Sequence, residues 1–159
     1  MKYLSYDEEM EALQYNKKAA KVALQSTCDR AQCGTIIVKD CEIIGSGFNS
    51  PAQNEEKRCS QKKSSYHRKV TDKTCCVHAE QRAIMNALHK NPGKIVGSRL
   101  YFIRLDNSGS IAKSGKPYCT ICSKMALDVG IKEFVLWHKE GICVYDTQDY
   151  NKRSYRYQE

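Results

Sequence analysis

The sequence predicts an α/β fold, a three-layer α/β/α sandwich with about five strands in one mixed sheet. Three observations predict it. Short β-prone runs recur along the chain, bounded by turn residues. Helical patterns fall between several of those runs. The length of 159 residues suits one domain with a core of its own.

Taken in order, Tyr6, Met10, Leu13, Ala20 and Leu24 recur at helical spacing with Lys and Glu between them, which predicts an amphipathic helix over 6–27. Thr35 to Val38 and Glu42 to Ile44 are β-prone and flank Lys39-Asp40, a hairpin. Gly45, Gly47 and Asn49-Ser50-Pro51 interrupt the pattern. Residues 51–75 are polar, basic and irregular, long for a loop inside a compact domain unless it is functional or held by something. His78 to Lys90 reads as a helix that Asn91-Pro92-Gly93 ends. Leu100 to Ile103 is a third strand, and 106–117 a Gly/Ser/Lys loop. Cys119 to Val129 is a helix closed by Gly130. Phe134 to Trp137 is a fourth strand. Glu140-Gly141 turns the chain into a fifth, Ile142 to Tyr145. Residues 146–159 read as a polar, tyrosine-rich tail, and 1–159 as a single domain without internal repeats.

Composition narrows the function classes. A charged fraction of 28% and a hydrophobic fraction of 41% fit a soluble globular protein. The start, MKYLSYDEEM, has no apolar h-region, and no apolar run is long enough to span a membrane. The expectation is a cytoplasmic protein without a membrane partner. Nine cysteines, an odd number, suit metal binding in a reducing compartment better than a disulfide framework. The net charge of +8 favours an anionic partner, a nucleotide phosphate or a polynucleotide, although a merely basic surface gives the same number.

The chemistry concentrates in His78-Ala79-Glu80 and in the pair Cys119-Thr120-Ile121-Cys122. One imidazole and two thiolates supply three ligands to a tetrahedral Zn²⁺ and leave the fourth position for water. Both motifs fall at helix starts, where partial positive charge favours the thiolate forms of Cys119 and Cys122. Zinc brings the pKa of its water near neutrality. Glu80 neighbours the metal without ligating it, and is placed to shuttle protons. Singly, each residue has a bland reading: a solvated histidine, a buried cysteine pair, half of a structural zinc site. Residue types, spacing and placement agree jointly on a catalytic centre. The pattern H-x-E followed by P-C-x-x-C is the signature of zinc-dependent nucleobase deaminases.

With these residues in place, the chain resembles the cytidine and deoxycytidylate deaminase superfamily from about Cys28 to Trp137. The resemblance rests on Gly34-Thr35-Ile36-Ile37-Val38, Gly47-Phe48-Asn49, Val77 to Ile84, and Pro117 to Cys122. It implies a fold of the cytidine deaminase type and a homo-oligomer. It also implies substrate binding by Asn49, which holds sugar or base, and by the backbone around Ala79 against the pyrimidine. Without the family argument, Asn49 is equally a turn residue before Ser50-Pro51. One departure stands out: family members usually carry proline directly before the first cysteine, and here Tyr118 intervenes. It either projects into the pocket or packs beside it.

The N-terminal half is similar to bacterial and phage deoxycytidylate deaminases, several of which hold a second, structural zinc. The matching positions are Cys28, Cys59, His67 and Cys76, with Cys75 as substitute for Cys76. A Cys₃His site is chemically sound and would order residues 51–75. The alternative is buried cysteines and a solvated His67. Cys33, Cys41 and Cys143 lie in or beside strands and read as core packing.

The expected activity is therefore zinc-dependent hydrolytic deamination of cytosine to uracil in a cytidine or deoxycytidine compound, foremost a nucleotide such as dCMP. The alternatives are a single-stranded DNA or RNA cytidine deaminase and a non-catalytic zinc module binding nucleic acid. Lys57, Arg58, Lys62, Lys63, Arg68, Lys69 and Lys73, with the tail's Tyr150, Lys152, Arg153, Tyr155, Arg156 and Tyr157, supply the charge and stacking surfaces that suit single strands. Glu80 argues against the non-catalytic module, because a structural site has no use for a proton shuttle. Pocket shape decides between cytosine and a purine.

Overall fold

The computed structural model describes residues 1–28, 30–54, 67, 75–113 and 115–157. Ser5 starts the first helix, α1 (Tyr6–Ala23), its N–H and hydroxyl donating to the Glu8 carboxylate at 3.0 and 2.8 Å. β1 (Lys2–Tyr3) precedes it, and β2 (Cys33–Lys39) and β3 (Glu42–Phe48) follow as a hairpin. Asp40 and Cys41 turn that hairpin with φ of 48° and 63°, the left-handed pair that a tight hairpin requires. Cys41 is thus an exposed turn residue rather than core. β4 (Ser50–Pro51) pairs with β5 (Cys76–Val77) and closes the base of the 51–75 loop. Most of that loop, including Cys59 and the basic residues, lies outside the described residues.

α2 (Ala79–Lys90), β6 (Arg99–Arg104), α3 (Thr120–Asp128), β7 (Glu133–His138), β8 (Gly141–Asp146) and α4 (Thr147–Ser154) complete the chain. The main sheet has six strands in the order β1-β8-β7-β6-β2-β3. β6 and β7 are parallel, with α3 as the crossover, and the other pairs are antiparallel. The fifth strand of the sequence reading is β8, antiparallel to β7 as the Glu140-Gly141 turn implied. The extra strand, β1, is too short for any sequence pattern to reveal.

Side-chain alternation divides the core into two layers. Ile36, Val38, Val135 and Val144 pack with α1, whereas Ile37, Phe134, Leu136 and Cys143 face the α2 layer. The result is an α/β/α sandwich. α1 buries only part of the stripe that the sequence suggested, Leu13 and Ala20 being half-buried against the core. Ala12, Tyr15, Ala19 and Ala23 face the sheet, while Tyr6, Met10 and Leu24 are exposed. Small residues win because the helix lies very close to β2: a Cβ at Gly34 would stand only 2.5 Å from the Ala23 nitrogen. Gly47 plays the same part beneath α2, where a Cβ would meet the Ala79 carbonyl oxygen at 2.6 Å.

The tail expectation needs correction. Residues 147–154 are helical. Asp146 caps the helix, accepting from the N–H groups of Gln148 and Asp149 at 2.9 and 3.3 Å. Tyr150 is buried, stacked on Phe134 at 4.1 Å and edge-on to Tyr145 at 5.9 Å. A polar-looking segment is therefore held by one aromatic anchor. No described helix is long and apolar enough to cross a membrane.

Candidate metal centre and its cavity

Two helix starts meet at one point. His78 precedes α2 in extended backbone, φ −69° and ψ 152°, and its N–H donates to Gln81 Oε1 at 2.9 Å. Cys119 precedes α3 in the same region, and its sulfur accepts from the Cys122 N–H at 3.4 Å. His78 Nδ1 lies 3.3 Å from Cys122 Sγ and 3.4 Å from Cys119 Sγ. All three ligand atoms lie within 4.8 Å of one another. Ordinary Zn–N and Zn–S bonds in a tetrahedron separate nitrogen from sulfur by about 3.6 Å, so donor set and spacing fit one zinc. Among the described residues, no other group of three or more His, Cys, Asp or Glu converges in this way.

The electrostatics agree. The Cys119 thiol is held down to about 4, chiefly by the hydrogen bond from the Cys122 thiol and then by His78. Cys122 is pushed up by sharing that bond and by burial. Cys119 is therefore the more readily ionised of the two sulfurs, and a thiolate is the form that ligates a metal. Glu80, only 6% exposed, lies in the first turn of α2, and burial raises its carboxyl pKa against the pull of His78.

His78, Glu80 and Cys119 line a cavity of about 360 Å³, while Cys122 is fully buried. Phe102, Trp137 and Tyr150 contribute aromatic wall, while the exposed Arg104, Lys116, Tyr118 and Tyr157 stand where it opens to solvent. Ala79 and Asn49, for which the resemblance implies substrate contact, are among its lining residues. The Asn49 amide is, however, largely engaged within the protein. Its Oδ1 accepts from the Cys33 N–H and the Ser26 hydroxyl, each at 2.7 Å, and its Nδ2 donates to the Ala31 carbonyl at 2.8 Å. Tyr118, the residue that separates Pro117 from Cys119, does reach the cavity. Sequence reasoning missed Phe102, Arg104 and the roles of Tyr150 and Tyr157 there. The cap at Asp146 was the available signal for the last two.

Of the second ligand set, Cys28 and Cys76 are neighbours: the Cys76 thiol is pushed up to about 12 by burial and by a hydrogen bond with Cys28. Cys75 Sγ lies 3.8 Å from Cys76 Sγ, but Cys75 is disulfide-bonded, which removes it as the substitute ligand. His67 is exposed, and Cys59 falls outside the described residues. Cys33 is half-buried at the cavity rather than in the core, and Cys143 is buried in β8.

The family model for the cytidine and deoxycytidylate deaminase zinc-binding region matches residues 9–138. The chain belongs to this family. Among solved structures it is similar to the dCMP deaminase of cyanophage S-TIM5 in apo form, with 24% identity over 82% of each chain and a TM-score of 0.56. The same phage deaminase in complex with dCMP and dUMP gives 22% identity over 83% of this chain and 82% of that one, TM-score 0.54. The cytidine deaminase of Burkholderia pseudomallei gives 15% identity over 92% and 96%, TM-score 0.55. At these identities the likeness carries the deaminase fold alone. No curated protein matches.

Proposed function

We propose that the protein is a zinc-dependent deaminase converting cytosine to uracil in a pyrimidine nucleotide, dCMP being the first candidate. The observation that carries this reading is the convergence of His78 Nδ1 with the Cys119 and Cys122 sulfurs beside a cavity lined by His78, Cys119 and the buried Glu80. His78, Cys119 and Cys122 would hold the ion. When bound, zinc at three protein ligands supplies Lewis acidity that makes water a nucleophile near neutral pH.

The remaining work falls to the chain. Glu80, whose buried carboxyl holds a proton more readily than an exposed one, takes a proton from the attacking water. It passes that proton to the ring nitrogen, then takes the second proton from the added hydroxyl and gives it to the amine as the C–N bond breaks and the C=O forms, so that cytosine and water become uracil and ammonia. The aromatic wall of Phe102, Trp137 and Tyr150 excludes bulk water and offers the base an apolar surface. Arg104 and Lys116 give the opening a positive charge suited to a nucleotide.

The proposal extends to a structural zinc on Cys28, Cys59, His67 and Cys76 in the reduced protein, supported by the adjacency of Cys28 and Cys76. With seven cysteines free, Cys59 is the one cysteine left in this chain to pair with Cys75, so the site competes with that disulfide. It extends also to a homo-oligomer, supported by the exposed apolar side chains Tyr6, Met10, Met85 and Leu88. A monomer in sedimentation at micromolar concentration would reject the oligomer. The deciding experiment for the activity is a deamination assay across nucleosides, nucleotides and single-stranded oligonucleotides, with zinc quantified in parallel. Turnover of the nucleotide above the others is the expected result. Turnover only on oligonucleotides favours the single-strand enzyme, and zinc binding without turnover favours the non-catalytic module.

A further inference from the structure

We propose that Tyr157, paired with Tyr118, forms a wall on which the substrate's pyrimidine ring stacks, making Tyr157 a specificity-determining residue supplied by the C-terminal segment. The inference rests on the deaminase reading above and goes beyond it by naming what grips the base. Tyr118 and Tyr157 meet edge-to-face, ring centroids 4.8 Å apart and planes at 87°. Both line the cavity that holds His78 and Glu80. Tyr118 directly precedes Cys119, so it stands beside the ligand cluster, and Tyr157 lies against it where the cavity opens and a substrate enters. Tyr118 is 52% exposed and Tyr157 37%, so the pair keeps open surface. A flat ring has an aromatic face to meet there.

Tyr157 does not arrive by chance. α4 is tied to α3 three residues earlier: Ser154 Oγ lies 3.3 Å from Ser123 Oγ and donates to the Asn151 carbonyl at 2.7 Å. Asn151 Nδ2 in turn donates to Ser123 Oγ at 2.8 Å. Tyr150 anchors the same helix against Phe134. After Ser154 the chain makes one more turn, with the Arg156 N–H on the Arg153 carbonyl at 2.9 Å, and delivers Tyr157 onto Tyr118. α3 carries Cys122, so the helix that carries a candidate metal ligand also sets the position of the stacking ring.

The test compares the zinc-loaded full chain with Tyr157→Ala and Tyr157→Phe. It measures kcat and KM for the nucleotide the parent deaminates, calorimetric affinity for dUMP, zinc content and melting temperature. The Ala variant is expected to raise KM and the dUMP Kd roughly tenfold, the usual order for losing one aromatic–base stack. Its kcat should change far less, and its zinc content and melting temperature should match the parent. The Phe variant should restore KM and Kd. Parent-like KM and Kd in the Ala variant would overturn the inference and leave the deaminase reading standing. So would equal losses in Ala and Phe, which would implicate the hydroxyl, or a KM effect accompanied by zinc loss, which would make the tail structural. A parent chain that neither binds nor deaminates any pyrimidine overturns both.

Discussion

Asn49 Oδ1 accepts a hydrogen bond from the backbone N–H of Cys33 at 2.7 Å. With the Ser26 hydroxyl on the same oxygen and the Ala31 carbonyl on Nδ2, Asn49 fastens the end of the α1–β2 connection to the cavity wall. A carboxamide has two donor hydrogens and two acceptor sites, so one Nδ2 hydrogen is left for a ligand. The structural role thus leaves room for the substrate role that the family resemblance implies.

Asn49→Ala should accordingly impair both. Removing the amide leaves the Cys33 N–H and the Ala31 carbonyl unpartnered, at a cost of about 1–3 kcal/mol for a buried group. Urea unfolding should read that loss, and KM should rise in the same variant. Unchanged stability would show that water replaces the amide without penalty, and would return Asn49 to a purely substrate-facing role.

Glu80→Gln should abolish most turnover while zinc content and unfolding midpoint hold. The amide is nearly isosteric, cannot shuttle protons, and needs no ionisation in a buried place. A drop of at least about 10²-fold in kcat is expected for a lost general acid–base. A variant within a few-fold of the parent would remove Glu80 from the mechanism.

The cluster of His78, Cys119 and Cys122 could be anticipated from the sequence because its evidence is local. His78 and Glu80 are fixed by one helix start, Cys119 and Cys122 by another, and only the meeting of the two needed three dimensions. Five strands were legible from contiguous β-prone runs such as Thr35 to Val38 and Phe134 to Trp137, whereas the two-residue strands β1, β4 and β5 are too short to show such a run. Helix α1 was legible as a helix but not in its buried face, because alanines carry little hydrophobic signal and the close approach at Gly34 selects them. α4 was not legible as a helix: seven of its eight residues, TQDYNKRS, are not large apolar ones, and tertiary contacts at Tyr150 decide its conformation. The structural bonds of Asn49 could not be read at all, since its partners at Ser26, Ala31 and Cys33 are set by folding.

Metal stoichiometry tests the ligand sets separately. The purified protein should hold two zinc ions per chain. Cys59→Ser should release one, lower the melting temperature, and reduce activity only as a secondary effect, because binding energy at a structural site becomes folding energy. Cys119→Ser or His78→Ala should release the other and eliminate turnover. One zinc per chain, indifferent to Cys59→Ser, would reject the structural site and leave Cys28 and Cys76 as a buried hydrogen-bonded pair.

Tyr150 offers the sharpest test of the C-terminal helix. Its ring is 3% exposed, stacks on Phe134 at an interplanar angle of 21°, meets Tyr145 edge-on, and forms part of the cavity wall. Truncation removes a large buried aromatic from a helix that has few other apolar contacts, since Tyr150 is its one large buried side chain. Tyr150→Ala should therefore cost about 3–5 kcal/mol, as buried aromatic-to-alanine changes do. The helix should detach with it, so proteolysis within 147–157 should accelerate. The loss of α4 also carries off Tyr157, so KM should rise at least as far as in Tyr157→Ala. Tyr150→Phe keeps the ring and should keep both the helix and the low KM. If Tyr150→Ala left stability and protease resistance at parent values, the capping at Asp146 and the Ser123–Ser154 contact would be sufficient to hold α4, and the aromatic anchor would be dispensable.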